Sequence, residues 1–467
     1  LKGDRKEVLT INTNYKLYLK IMRKTVFSLI TILVIAMTTS CRKDGSLMYT
    51  LLNDSSAESL AIADSVQRFK VSPSAATEVD RLQFRANHNE MQMTGFYVAP
   101  NSTITIKVKV NSGTTAARLA IGTPFRDNIR PVRQYFNLQA GTQTFTVDQY
   151  GGLVYVIYTA DNYTTTGEIE LSFGNGFIPV PYFQKGITTH EQWVATLDSL
   201  KNTVPDVVFS SDHTIMVTKI ADAMLYKNED QQLIVDRLDS IIGFSNRISG
   251  LNGTSGVHAI PYNKHLITVR DSSAGGYMAA GISIYFTDAL SYRMLQPKYL
   301  SNTNGWGIWH EVGHTYQQKA WTWGNLTETT VNVYSLASER GFGLPVSRVT
   351  ANNSWPKLTT YFQKNIADRN FNSGDNDLKM IMFHQLWLGF GDDFYIKLSK
   401  TTRENRPTVS TDAEKMRYFM LSACQIGQKD LSDFFRKWGF KVDESVYTAI
   451  SNLNLPAPTQ DLTALRD

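Results

Sequence analysis

Cysteine is almost absent from this chain, with two residues in 467, Cys41 and Cys424. That count excludes a cysteine-rich metal cluster and a disulfide-dense scaffold. Histidine is also scarce, at eight residues. Long apolar runs are missing too. The longest, Val26 to Met37, is too short to cross a bilayer as a helix. No internal repeat and no extended low-complexity tract interrupt the chain. An excess of charge is missing as well, once its position is considered. The whole chain carries 47 Lys and Arg against 42 Asp and Glu, a net of +5. Residues 1–40 hold seven of those cations and two of the anions, which is already +5, so residues 41–467 hold 40 of each and sum to zero. A nucleic-acid partner therefore has no electrostatic support. Hydrophobic content of 42% with 19% charged residues is that of a globular chain long enough for two or three domains.

The short apolar run has its own reading. Met22-Arg23-Lys24 precedes it, and Thr38-Thr39-Ser40-Cys41 follows it. A basic start, an apolar centre and small residues at the end make a secretory signal. A cysteine directly after the small residues is the pattern of a lipoprotein signal, with Thr38 where Leu is commonest. Residues 1–41 are thus expected to be an upstream segment plus signal, and Cys41 a lipidated anchor to the outer membrane of a bacterial cell. An unlipidated, secreted product is the alternative. Cys424 then remains alone, and no intramolecular disulfide is possible.

Against this background stands Gly305-Trp306-Gly307-Ile308-Trp309-His310-Glu311-Val312-Gly313-His314-Thr315-Tyr316-Gln317. On a helix, His310 and His314 project from one face a turn apart, where both imidazoles reach one Zn²⁺ at about 2.0–2.1 Å. Glu311 is rotated by about 100°, which places it beside the metal as a base. A catalytic zinc needs a third protein ligand and an open position. Glu328, in Asn325-Leu326-Thr327-Glu328-Thr329-Thr330-Val331-Asn332-Val333-Tyr334-Ser335-Leu336, is the candidate, with Glu339 a weaker one. A competing reading makes Asn325 and Glu328 a helix capping box. Asn332, four residues after Glu328, lies on the same helix face and could orient a ligand.

These strings, with Trp321-Thr322-Trp323-Gly324 between them, resemble the enhancin-like family of gluzincin metallopeptidases, whose pattern is H-E-x-x-H followed after a variable gap by a glutamate ligand. The resemblance implies cleavage of mucins and other O-glycosylated proteins. Tyr277-Met278-Ala279-Ala280-Gly281-Ile282-Ser283-Ile284 resembles the family's segment ahead of the zinc helix, with Ala279 where the family usually has a histidine. By the same resemblance, a strand near Ala279–Ile284 would pair with the substrate backbone, with Ala279, Ala280 and Gly281 as substrate contacts. Trp321 and Trp323 could stack on a glycan or pack beneath the metal site.

In chain order, residues 42–78 read as a polar, helix-prone tether. From 79 to 178 the period becomes two, as in Thr103-Ile104-Thr105-Ile106-Lys107-Val108 and Glu168-Ile169-Glu170-Leu171, with turn residues between the runs. That is a β-sandwich, jelly-roll-like by the resemblance, which either binds glycan or supports the catalytic domain. Pro179-Val180-Pro181-Tyr182 is a stiff linker. Residues 183–345 are expected to form a zincin α+β catalytic subdomain, with Val207–Lys219 as strand and Asp230–Asn246 as a long amphipathic helix. Residues 346–467 form a helical subdomain. His88, His190, His213, His258, His265 and His384 lack a metal-spaced partner and read as structural or surface histidines. The expected whole is a zinc endopeptidase for mucin-like protein. A glycan-binding surface lipoprotein on a catalytically weak scaffold and a zinc aminopeptidase are the rival readings.

Overall fold

The computed structural model describes residues 60–86, 88–129, 134–253 and 256–467. The expected signal, the expected lipidation site and most of the expected tether fall outside them. Within them, two sheets make the sandwich. One runs β1 (Val66–Lys70), β10 (Glu168–Phe173), β4 (Thr103–Ser112), β7 (Gly141–Thr146). The other runs β11 (Phe177–Pro179), β3 (Gln92–Val98), β8 (Gly152–Ile157), β5 (Arg118–Ile121), β6 (Gln134–Asn137). A short parallel pair joins β2 (Ser72–Pro73) to β9 (Thr159–Ala160). The tether reading of residues 42–78 is corrected at its end. Val66–Lys70 is a strand paired antiparallel with β10, and not a helix. Only Phe69 of that strand is buried, so its apolar pattern is too thin to read from sequence.

The continuous apolar run Leu153–Tyr158 has a specific cause. Val154, Val156 and Tyr158 enter the sandwich core, whereas Leu153, Tyr155 and Ile157 enter the core of the catalytic domain. Alternate side chains of one strand serve two cores, because strand side chains alternate faces. The five-stranded sheet is therefore a shared wall.

The catalytic sheet is ordered β12 (Tyr182–Gln184), β13 (Asp206–Ser210), β14 (Thr214–Lys219), β15 (His265–Arg270), β17 (Ile284–Thr287), β16 (Met278–Ala280). β16 is its edge and runs antiparallel to β17. The expected single strand Val207–Lys219 is instead a hairpin. Its turn at Ser211–His213 is held by Asp239, which accepts from Ser211 Oγ and from the backbone N–H of Asp212 and His213. Asp239 lies on the long helix Gln231–Ile248, capped by Asp230, which packs its Ile234, Leu238, Ile241 and Ile242 face into the core. Beyond the sheet the chain is helical to its end. As the sequence pattern leads one to expect for residues 346–467, helices form at Trp355–Phe362, Asn376–Phe390, Asp392–Asn405, Asp412–Gly427, Ser432–Lys437 and Glu444–Ser451, with a single turn at Arg348–Ala351. The architecture is a sandwich followed by a zincin-type α+β domain with a helical C-terminal subdomain.

Candidate metal centre and cleft

The motif occupies helix α1 (Trp306–His314). Glu328 sits on the single-turn helix α2 (Thr327–Thr330), directly before α3 (Asn332–Gly341). Two glycines set how closely α1 approaches its neighbours. A Cβ at Gly307 would come 2.9 Å from Met278 Sδ on β16. A Cβ at Gly313 would come 2.8 Å from the Val331 carbonyl oxygen and 3.0 Å from Tyr334 Cβ. The helix is thus pressed against the edge strand on one side and against the Glu328-bearing segment on the other.

That packing brings one ligand atom each from His310, His314 and Glu328 within 4.8 Å of one another. His310 Nε2 lies 3.0 Å and His314 Nε2 3.5 Å from Glu328 Oε2. Two donors about 2.0–2.1 Å from a tetrahedral ion lie about 3.3 Å apart, so the triangle has the size zinc needs. The second ring nitrogens are used as well. His310 Nδ1 is 3.0 Å from Asn332 Oδ1, and His314 Nδ1 is 2.8 Å from Gln317 Oε1. An amide oxygen can only accept, so each Nδ1 carries a proton and Nε2 is the atom turned to the triangle, donating to Glu328 when His310 is protonated and free to offer a lone pair to a metal ion when it is not. Asn332 Nδ2 donates to the Glu328 carbonyl, and Gln317 Nε2 donates to Thr327 O and Thr330 Oγ1. Both amides therefore tie a histidine of α1 to the segment that carries Glu328. Two imidazoles and a carboxylate, with no thiolate, suit zinc.

The capping-box reading of Glu328 is not what forms. No side chain caps α2, and Asn325 Nδ2 donates to the Asn372 carbonyl. Glu339 is away from the triangle and accepts from the Arg348 backbone N–H.

Glu311 is buried beside the triangle. Burial pushes its carboxyl up to about 7; His310 opposes that, the negative charge of Glu328 adds to it, and the Ala280 backbone N–H, donating to the carboxylate, opposes it. Burial would lower His310, but its hydrogen bond to Glu328 and the charge of Glu311 outweigh that and raise it. Burial lowers His314. The hydrogen bond from His310 holds Glu328 below the ordinary carboxylate range.

The edge strand sharpens the expected substrate contacts. The Thr287 N–H donates to Tyr277 O, Gly281 N–H donates to Ser283 O, and Ala279 is registered opposite Tyr285. In an antiparallel pair, alternate residues bond inward. Tyr277, Ala279 and Gly281 are therefore turned towards β17, and Met278 and Ala280 present their backbone to the cleft. Of the residues expected to contact substrate, Ala279 and Gly281 thus turn their backbone inward and Ala280 turns it outward, as does Met278, which the sequence reading does not single out. Trp321 and Trp323 are corrected too. Both are at most 1% exposed, with their indole N–H groups donating to Gln318 Oε1 and Asn372 Oδ1, so neither offers a face to a sugar. His384 is fully buried and bonds Asp467, a structural role. Gln317 was quoted in the motif but given no part. Its position three residues after His314, just past the end of the helix, was the available signal.

Comparison with known proteins places these features. The family model described as Peptidase M60, enhancin and enhancin-like matches residues 176–439. A model for the N-terminal domain of M60-like peptidases matches residues 73–172. A functionally unknown conserved protein from Bacillus anthracis has a similar structure, with a TM-score of 0.75 at 25% identity, covering 86% of this chain and 81% of that one. The M60 catalytic domain of ZmpC from Clostridium perfringens, solved in complex with the sialyl T antigen, gives a TM-score of 0.69 at 19% identity over 86% of this chain and 81% of that one. Among curated proteins, TRPM8 channel-associated factor 3 of Rattus norvegicus is 22% identical over 387 residues, 79% of this chain. The chain spans 40% of that relative's length. Most of the sandwich, the six-stranded sheet and the H-E-x-x-H helix lie within the matched segments, and the chain belongs to the M60, enhancin and enhancin-like, peptidase family.

Proposed function

We propose that this chain is a zinc endopeptidase acting on O-glycosylated, mucin-like protein, exported and held at the bacterial surface through Cys41. The observation that carries the hydrolytic reading is the triangle of His310 Nε2, His314 Nε2 and Glu328 Oε2, with the buried Glu311 carboxylate beside it. His310, His314 and Glu328 would hold a divalent ion, which would supply Lewis acidity to the scissile carbonyl and to water. Glu311 accepts a proton from the attacking water and passes it to the amide nitrogen that leaves. Its hydrogen bond from Ala280 N–H fixes the carboxylate between the edge strand and the triangle. Met278 and the Ala280 carbonyl offer outward backbone groups, the Ala280 N–H being taken by Glu311, so an extended peptide can add to the sheet edge by main-chain bonds. Such bonds ignore side-chain identity, which suits a substrate recognised by its glycans. The family matched here, together with the glycan bound by the Clostridium perfringens domain, supports a glycoprotein substrate. The shared wall between sandwich and catalytic domain favours a supporting role for the sandwich.

Cleavage of an O-glycosylated mucin and of its enzymatically deglycosylated form, followed by gel shift, tests this reading. Cleavage of the glycosylated form alone is expected. Equal cleavage of both would keep the peptidase and discard glycan dependence. Peptides with blocked and free N-termini separate the endopeptidase from an aminopeptidase, since only the latter requires a free amine. Zinc-loaded protein that binds mucin without cutting it would establish the binding-lipoprotein reading instead.

A further inference from the structure

A cavity of about 530 Å³ lies between the sandwich and the catalytic sheet, and it shares no lining residue with the metal centre or with β16. Residues of β1 and β3 line it on the sandwich side. Residues of β12, Ser210 at the end of β13 and the loop 262–264 line it on the other. That volume is within the range of small-molecule pockets, about 300–1,000 Å³. Lys264 supplies a charge there that no carboxylate pairs with. Its Nζ donates to Ser210 Oγ at 3.1 Å and to the Ser211 carbonyl, and both serines are buried. An ammonium has three N–H groups, so one remains for the cavity that the side chain lines. Among the described residues, no carboxylate lies within ion-pair distance of it. The acids that act on it from farther off, Asp239 and Asp212, are both paired with Lys185. Burial works against its charged form, a cost that an arriving anion would offset. Arg68 and Asp64 line the cavity too, but both are exposed, where water screens them, and Arg68 is already paired with Glu170.

The neutral groups around Lys264 ask for a second kind of partner. Gln67 Nε2 donates to the Asp64 and Thr94 carbonyls, Gln92 Nε2 to the Lys70 carbonyl, and Asn263 Nδ2 to the Pro73 carbonyl. These three lining residues thus turn their amide N–H groups to the protein, and their amide oxygens are left as acceptors. An anion alone would leave those oxygens without donors, whereas hydroxyl groups would satisfy them. Tyr262 completes the lining. Its backbone N–H is held by Glu78 Oε2 at 2.9 Å, while its side chain leaves the residue 59% exposed. A ring fixed at its backbone and open on its face is a platform for the apolar side of a sugar.

We propose that this cavity binds an anionic sugar, with Lys264 holding the charge, the amide oxygens of Gln67, Gln92 and Asn263 the hydroxyls, and the Tyr262 ring one face. The charge has two sources, the carboxylate of a sugar acid or a sulfate ester. Lysine is a point charge without a fixed fork, so its chemistry accepts either. The site is separate from the hydrolytic centre and needs no cleavage, so it stands or falls apart from the peptidase reading.

The test is calorimetric titration of the full zinc-loaded chain with glucuronic acid, glucose 6-sulfate and glucose. Wild type, Lys264→Met and Tyr262→Ala are compared, with thermal unfolding of each measured without sugar. The wild type should bind at least one of the charged sugars more tightly than glucose, and the one it prefers identifies the source of the charge. Lys264→Met should weaken that sugar about tenfold or more and leave glucose unchanged. Tyr262→Ala should weaken charged and neutral sugars alike, by about threefold or more. No binding of either charged sugar at millimolar concentration would overturn the proposal, as would equal affinity for charged and neutral sugars. So would a charged sugar whose affinity neither substitution changes, since that would place it elsewhere, for example with its carboxylate on the zinc. Should Lys264→Met lower the unfolding temperature, Tyr262→Ala decides, because its ring is exposed. A crystal soaked with the preferred sugar then has to show it against Lys264, and a sugar found only elsewhere would overturn the proposal.

Discussion

Gly313→Ala probes the contact on which the metal triangle depends. Adding one methyl group at this position places carbon 2.8 Å from the Val331 carbonyl oxygen, 2.9 Å from Val331 Cγ2 and 3.0 Å from Tyr334 Cβ. Two of those three atoms belong to backbone or to a Cβ, so they cannot swing aside as a side-chain tip would. In an exposed helix the same substitution would stabilise by about 1 kcal/mol, through helix propensity. Overpacking a tight contact costs about 1–3 kcal/mol, so a net loss of about 1 kcal/mol is expected. For about 400 described residues, that corresponds to a fall of only about 1–2 °C in the melting temperature of the metal-free protein. The larger effect is geometric. The α1 helix must move away from Val331, three residues after Glu328, while His310 and His314 travel with α1. Displacing one ligand from the other two, and straining the Asn332 and Gln317 links, should weaken zinc binding about tenfold or more. Competition with a chromophoric chelator reads the affinity, and calorimetry of the metal-free protein reads the stability. A rise in melting temperature with unchanged zinc affinity would show that the propensity gain is realised freely, and would refute the tight contact between α1 and the Glu328 segment.

Other consequences can be measured separately. Asn332→Leu or Gln317→Leu removes the acceptor for one histidine Nδ1–H, and a loss of about 10–100-fold in zinc affinity is expected by competition titration. Trp321→Ala empties a fully buried site and should cost about 3–5 kcal/mol in denaturant unfolding. That loss should be the same with glycosylated ligand present or absent. Burial pushes the Glu339 carboxyl up to about 7 from its ordinary 4.5. The folded state therefore binds that proton more tightly than the unfolded state, and stability is fully present below pH 4.5 and falls as pH rises towards 7. The loss is about 3 kcal/mol, and Glu339→Gln should flatten that part of the stability profile.

The parts of the molecule that were legible in the sequence share a local signature. His310 and His314 are four apart on one helix, and Glu328 lies within the next helical segment, so local periodicity alone presents them. The long helix ending near Ile248 and the alternating strands β4 and β10 show their period over many residues. What was hidden depends on contacts distant in sequence. Trp321 and Trp323 are aromatic in any reading, and only the packing of Phe371, Phe419 and Phe440 around Trp323 decides that it faces inward. The hairpin within Val207–Lys219 is set by Asp239, more than twenty residues away. Which residues of the edge strand face the cleft follows from its register with β17, which no composition reveals. Phe84 lies more than two hundred residues before Gln318, with which it makes an antiparallel bridge.

The central claim is that the His310, His314 and Glu328 triangle serves hydrolysis through Glu311. The most direct measurement is the rate of O-glycosylated mucin cleavage, normalised to bound zinc, for the wild type and Glu311→Gln. Both proteins should hold one zinc per chain, and the variant should cleave at least about a hundredfold more slowly. A variant that keeps its zinc and cleaves as fast as the wild type would contradict the claim.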